Sequence, residues 1–207
     1  DDSQLSHLLD WADVVCIGCG LGTGQISEKI LKNVLKNVSC PCVIDADGLN
    51  LLSRNIELLN QCCAPVILTP HMKEMSRLTG WSIDTIMEDR FHALDQIIKQ
   101  SGPDTKSSII CVLKDSRTVV AQTNRQKFVN LAGNNSMAKG GSGDVLAGTI
   151  AGLLAQHMAP FEAAAVGVFL HACGGDEAKK SKGSYSVLAR DLIQGMADAM
   201  KNAKECR

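Results

Sequence analysis

Asn134-Asn135-Ser136-Met137-Ala138-Lys139-Gly140-Gly141-Ser142-Gly143-Asp144 runs straight into Val145-Leu146-Ala147-Gly148-Thr149-Ile150. Packing does not explain Gly140, Gly141 and Gly143 so close together, since glycine loses the most backbone entropy on folding and brings no side chain to bury. They suit a loop whose backbone N–H groups turn together toward an anion. The apolar run from Val145 to Leu154 predicts a helix, which places the loop at a helix N-terminus. Unpaired amides and the positive end of the helix dipole meet there and stabilise negative charge. Asp144 is the odd residue, because a carboxylate repels the ligand such a pocket attracts. It points to work on a proton or a metal ion. The plainer alternative is an ordinary helix start with Ser142 or Asp144 as N-cap, yet capping needs neither Gly140 nor Gly141.

Upstream of this loop, Ser108 to Leu113 reads as a strand with Lys114 at its tip. Lys114-Asp115-Ser116-Arg117-Thr118 then turns into Val119-Val120-Ala121, and a third antiparallel segment follows at Lys127 to Leu131. A Lys, an Arg and a Thr at one strand tip suit phosphate oxygens; a polar turn without a ligand has the same composition. Earlier still, strands are predicted at Ala12 to Gly18, Cys42 to Ala46 and Pro65 to Thr69, with helices at Ile26 to Leu35, Leu49 to Leu59 and Ile83 to Ile98. In the last, Ile83, Ile86, Phe91, Leu94 and Ile98 form a core stripe. Leu5, Leu8, Leu9 and Trp11 share a short helix face, and helices are expected over 143–156, 160–179 and 188–203.

This order predicts an α/β fold: a mostly parallel central sheet with helices on both faces and ligands at the edge formed by the strand ends. Asp45 and Asn50 lie at that edge with Asp47, which either faces a ligand or caps the following helix. His71 and Glu74 follow the third strand and are placed to touch a substrate. The first glycine run, Gly18-Cys19-Gly20-Leu21-Gly22-Thr23-Gly24, lacks the G-x-G-x-x-G spacing of a dinucleotide fingerprint and reads as a ligand-facing loop.

The chain has 207 residues, enough for one domain with a sizeable core, and a net charge of -1 that suggests neither a nucleic-acid nor a membrane partner. The nine cysteines argue for reduced cytoplasmic thiols rather than a disulfide framework, and Cys16-x-x-Cys19 and Cys40-x-Cys42 read as buried apolar thiols rather than a zinc site.

Four motifs stand in order along the chain: Asp45-Ala46-Asp47-Gly48-Leu49-Asn50; Leu68-Thr69-Pro70-His71-x-x-Glu74-Met75; Leu113-Lys114-x-x-x-Thr118; and Gly133-Asn134-x-x-Met137-Ala138-x-Gly140-Gly141-Ser142-Gly143-Asp144. Together they resemble the ADP-dependent NAD(P)H-hydrate dehydratases of the ribokinase-like superfamily. The resemblance implies a three-layer α/β/α domain over residues 1–207 that removes water from hydrated NADH or NADPH, using ADP (or ATP) and Mg2+. It implies Asp144 as the general base and Gly140, Gly141, Ser142 and Gly143 around the transferring phosphoryl group. Lys114, Asp115, Ser116, Arg117, Thr118, Asn134 and Gly143 would hold the nucleotide. Gly20, Gly22, Asp45, Asn50, His71, Glu74 and Asp144 would face the hydrated dinucleotide. A homo-oligomer is expected, and no residue is assigned as a metal ligand. Cys19 stands where the family has proline, Asp115 where it has glycine, and Lys139 where it often has threonine. The family's opening strand is expected to be missing, which leaves a sheet edge bare. A ribokinase-like small-molecule kinase or a nucleotide-binding module without turnover would share much of this apparatus.

Overall fold

The computed structural model describes residues 2–99, 108–125 and 127–205. Helix α1 (Asp2–Trp11) leads into β1 (Val15–Ile17), α2 (Gln25–Asn37), β2 (Cys42–Ile44) and α3 (Asp47–Leu52). Then come β3 (Val66–Leu68), α4 (Met72–Thr79), α5 (Ile83–Glu88), α6 (Arg90–Lys99) and β4 (Ile109–Leu113). Strands β5 (Val119–Gln122) and β6 (Phe128–Val129) precede α7 (Ser142–Ala155), α8 (Pro160–Lys182) and α9 (Ala189–Glu205).

The strands lie side by side in sequence order, β1 to β4 parallel and β4 to β6 antiparallel. Parallel crossovers are right-handed. Strands added in one direction therefore throw every crossover helix onto the same face, and α2 to α6 all pack there. The opposite face is left for the helices that follow the last strand. Alternation of side chains along each strand serves both layers. Ile44, Leu68, Cys111 and Ala121 face α2 to α6, whereas Val43, Ile67, Ile110, Val112 and Val120 meet α7 and α8 through Leu146, Ile150 and Val168. The expected three-layer α/β/α fold with helices on both faces is what the chain adopts. Helix α9 packs on α8 at a glycine pair so close that a Cβ on Gly195 would lie 2.1 Å from the carbonyl oxygen of Gly174.

Several local expectations are corrected. The helix expected from Leu49 to Leu59 stops at Leu52, and a separate 3-10 turn spans Ile56–Gln61. Between them Asn55 leaves the helical region at φ -155, ψ 82. The long stripe through Ile83 to Ile98 is broken at Asp89, whose carboxylate accepts from the His92 amide at 2.9 Å and so starts α6 as a new helix. The break rotates Phe91 outward, where it is 48% exposed under the Lys127 ammonium. The segment expected from Lys127 to Leu131 pairs over Phe128 and Val129. Cys16 and Cys19 are exposed rather than buried: Cys16 lies on β1, an edge strand among the described residues, and Cys19 on the loop after it, while Cys42 on β2 is buried. All eight described cysteines are free, and Cys206 lies outside the described residues.

Candidate functional site

Three parallel strands end side by side and deliver one residue each: Asp45 after β2, His71 after β3 and Lys114 after β4. The Lys114 amide donates to the Pro70 carbonyl at 2.8 Å, and a bridge pairs His71 with Lys114, which extends the ladder one step past the strands. The Lys114 ammonium lies 2.6 Å from Asp45 Oδ1, which also accepts from the Ala46 amide at 2.8 Å. The Asp45 side chain is 2% exposed and that of Lys114 17%. A charge this buried needs its partner, and here each has one.

The first turn of α7 lands on this ion pair. A Cβ on Gly143 would sit 3.3 Å from Lys114 Nζ and 3.5 Å from Asp45 Oδ2, so a side chain there would crowd the pair. Gly141 is the N-cap in the left-handed region at φ 85, and no side chain caps the helix. Neither Ser142 nor Asp144 is the cap. Among the described residues, the amides of Gly140, Gly141, Gly143 and Asp144 meet no protein acceptor. Donors at such an uncapped helix start are open to solvent or to an anion. Asp144 is exposed.

Beside this turn opens a cleft of about 810 Å³ lined by His71, Lys114, Asp115, Ser116, Thr118, Asn134, Lys139, Ser142 and Gly143, with Leu146, Val168 and Ala172 as apolar wall. Its lining suits a partly apolar ligand with a charged end. Asp115 also reaches Arg90 NH1 at 3.0 Å, which neutralises its carboxylate. Asn134 Oδ1 accepts from the Ser136 amide and hydroxyl at 3.0 and 2.6 Å, closing the turn that forms the cleft wall.

Other expected site residues fall elsewhere. Glu74 is 5% exposed and forms a reciprocal cap with His71: its amide donates to His71 Nδ1 at 3.1 Å, and its Oε2 accepts from the His71 amide at 2.8 Å. Burial raises its carboxyl pKa above the ordinary value. These contacts hold His71 in place. Asn50 is tied up by Arg77, whose NH1 lies 2.7 Å from its Oδ1, and stays outside the cleft. Arg117 is exposed and also outside it. Gly20 and Gly22 are exposed at φ 69 and 75 on a separate loop, and Asp47 accepts from the Gly22 amide at 2.9 Å rather than capping α3. Cys19, on that loop, comes together with Asp45 and Asp144, their donor atoms within 4.8 Å of one another. Partial burial and then the hydrogen bond to Asp144 push the Cys19 thiol up to about 12. Asp144 thus sits between the first glycine loop and the cleft.

His171 and Asp176 escape sequence reading. Both lie on α8, in a stretch of small residues that reads as core; two polar side chains in such a stretch are the one signal. His171 is 8% exposed, and its Nε2 lies 3.3 Å from Ser142 Oγ. Burial lowers its pKa to about 4, so the imidazole is neutral near pH 7.

Residues 1–197 match the family model described as NAD(P)H-hydrate dehydratase. A bifunctional NAD(P)H-hydrate repair enzyme of Moorella thermoacetica is 38% identical over 204 residues, covering 99% of this chain and 37% of that protein. An ADP-dependent (S)-NAD(P)H-hydrate dehydratase of Neisseria meningitidis is 39% identical over 189 residues, 90% of this chain and 62% of the other. The chain thus spans between about a third and two thirds of these relatives' length. An ADP/ATP-dependent NAD(P)H-hydrate dehydratase from Bacillus subtilis, co-crystallized with ATP and Mg2+, superposes with TM-score 0.76 at 28% identity, over 92% of this chain and 64% of that one. A match over nearly all of the chain, on a fold that gathers the four sequence motifs at one sheet edge, makes this chain a member of the NAD(P)H-hydrate dehydratase family.

Proposed function

We propose that the chain catalyses the ADP-dependent dehydration of hydrated NADH and NADPH, returning the reduced nicotinamide ring. The observation that carries this reading is the uncapped start of α7, where free amides, the Lys114–Asp45 pair and Asp144 converge beside the cleft. A ring hydroxyl is a poor leaving group, so it is first made a phosphate ester. Asp144 accepts the hydroxyl proton as the oxygen attacks the terminal phosphorus of ADP, and the bond from that phosphorus to the bridging oxygen of AMP breaks. The amides of Gly140, Gly141, Gly143 and Asp144, with Lys114 and Ser142, stabilise the charge on the moving phosphoryl group. The ring nitrogen then pushes phosphate off carbon, and loss of a proton from the adjacent ring carbon restores the double bond.

The cleft wall of Leu146, Val168 and Ala172 would take the base, with Ser116, Thr118 and Asn134 along the nucleotide. Asp45, His71, Gly20 and Gly22 would line the dinucleotide side. Magnesium prefers oxygen ligands in octahedral array. Asp45 is engaged by Lys114 and Asp115 by Arg90, so phosphate oxygens and water would supply most of its shell, offsetting the charge of the nucleotide. The same reading makes residues 1–207 one domain of a cytoplasmic homo-oligomer.

The test is recovery of reduced-nicotinamide absorbance from hydrated NADH with ADP and Mg2+. Asp144→Asn should lower turnover by about 10²–10⁴-fold, as loss of a general base does, while ADP binding by calorimetry persists. Full turnover in the variant would remove Asp144 from the mechanism. Phosphoryl transfer from ADP that ignores hydrated NADH would favour a kinase.

A further inference from the structure

The segment 133–142 joins β6 to α7 and forms one wall of the cleft, and both of its ends are tied to α8. At one end, Asp176 Oδ2 accepts from the Gly133 amide at 3.1 Å and its Oδ1 accepts from Asn134 Nδ2 at 2.8 Å. At the other end, His171 Nε2 meets the Ser142 hydroxyl at 3.3 Å. Between them Met137 lies flat on α8: a Cβ on Gly175 would fall 2.2 Å from its sulfur. A carboxylate and an imidazole on one rigid helix therefore fix the two ends of a segment that has only a short 3-10 turn of its own. Ser142 is 9% exposed and His171 8%, so water does not compete freely for this contact.

We propose that His171 and Asp176 are positioning residues of the nucleotide site, His171 acting through Ser142 on the phosphoryl-binding turn and Asp176 acting through Gly133 and Asn134 on the cleft wall. The proposal rests on the reading of the cleft as a nucleotide site. The two ends have separate duties. Ser142 opens the turn that carries the Gly143 and Asp144 amides, whose donors count only when already aimed at the transition state. Gly133, Asn134 and Met137 line the cleft, so on this reading they would contact the nucleotide before and during reaction alike. Loss of uniform binding raises KM, and loss of transition-state binding lowers kcat.

The experiment compares the full chain with His171→Ala, His171→Gln, Asp176→Ala, Asp176→Asn, Ser142→Ala and the His171→Ala/Ser142→Ala double variant. Dehydration kinetics with hydrated NADH and ADP are measured beside ADP binding by calorimetry. Asp176→Ala should raise both KM and Kd for ADP by about tenfold or more, the scale of a lost hydrogen bond to a charged group, with kcat nearly unchanged. His171→Ala should lower kcat by about tenfold with Kd for ADP nearly unchanged. His171→Gln, which still offers a hydrogen-bonding group, should recover most of that loss. The double variant should be no slower than Ser142→Ala, because His171 acts through that hydroxyl.

If the alanine variants do not fold, Asp176→Asn and His171→Gln decide, with the same split at smaller amplitude. Equal shifts of KM and kcat in both sets, or additive losses in the double variant, overturn the proposal. A wild-type chain that binds ADP without turnover still tests it, since Asp176→Ala must weaken binding and His171→Ala must not. A wild-type chain that neither binds ADP nor turns over overturns the nucleotide reading, and this proposal with it.

Discussion

The two glycine-rich loops that flank Asp144 are held in opposite ways. The loop at 140–143 presents orphan amides from the start of a long helix and rests on buried partners: the Lys114–Asp45 pair below it and His171 behind it. The loop at 18–24 is pinned by surface contacts, from Asp47 to the Gly22 amide at 2.9 Å and from Arg54 to the Thr23 carbonyl at 3.1 Å. Among the described residues, neither a Cβ on Gly20 nor one on Gly140 would meet anything within 4 Å. Under the proposed function, the firmly held loop is the one where charge would develop, and the loosely held one faces the side a bulky dinucleotide would occupy. The exception in the first loop is Gly18, whose Cβ would lie 1.9 Å from the Asp45 carbonyl oxygen, at φ 121. That single glycine locks β1 against the strand carrying Asp45.

The sharpest way to break this contrast is to compare alanine at Gly18 and Gly20. Gly18→Ala should cost about 4 kcal/mol of stability, because backbone must move and φ is strained. Gly20→Ala should cost about 1 kcal/mol, from φ alone. Chemical denaturation measures both, and equal losses would mean that the first loop is uniformly rigid.

A smaller effect is expected of His171. Burial lowers its pKa from 6.5 to about 4. Between those values the unfolded chain binds a proton that the native chain does not, so the stabilisation is complete above pH 6.5 and lost as pH falls toward 4. Wild type should lose about 3 kcal/mol over this window that His171→Gln keeps. The difference curve cancels other titrating groups, Glu74 included. The smallest effect belongs to Asp47→Ala, which removes the exposed acceptor of the Gly22 amide. It should cost about 1 kcal/mol or less and leave ADP affinity unchanged by calorimetry; a weaker ADP complex would show that the loops are coupled.

The alternation of strands and helices is written in local periodicity, so the layers and the mostly parallel sheet can be read from the chain. Strand order is not local, which is why Cys16 could not be placed on an exposed edge from its own apolar strand. The Lys114–Asp45 pair spans 69 residues, and only the sheet brings it together. Each partner is legible as a strand-end residue; the pairing is not. Asp89 sits inside a periodic stripe, and its capping role outweighs the pattern. His71 and Glu74 carry the spacing of a reciprocal cap, and that local meaning accounts for Glu74. His171 and Asp176 are hidden because a helix facing a glycine loop looks like any packed helix.

The central claim is that Asp144 and the uncapped turn of α7 move a phosphoryl group onto the substrate hydroxyl before it leaves. The direct test is a single turnover with hydrated NADH carrying oxygen-18 in that hydroxyl, with ADP and Mg2+, followed by mass analysis of the released phosphate. The label is expected in phosphate, one atom for each reduced nicotinamide restored. Label released as water, with unlabelled phosphate, would contradict phosphorylation of the hydroxyl.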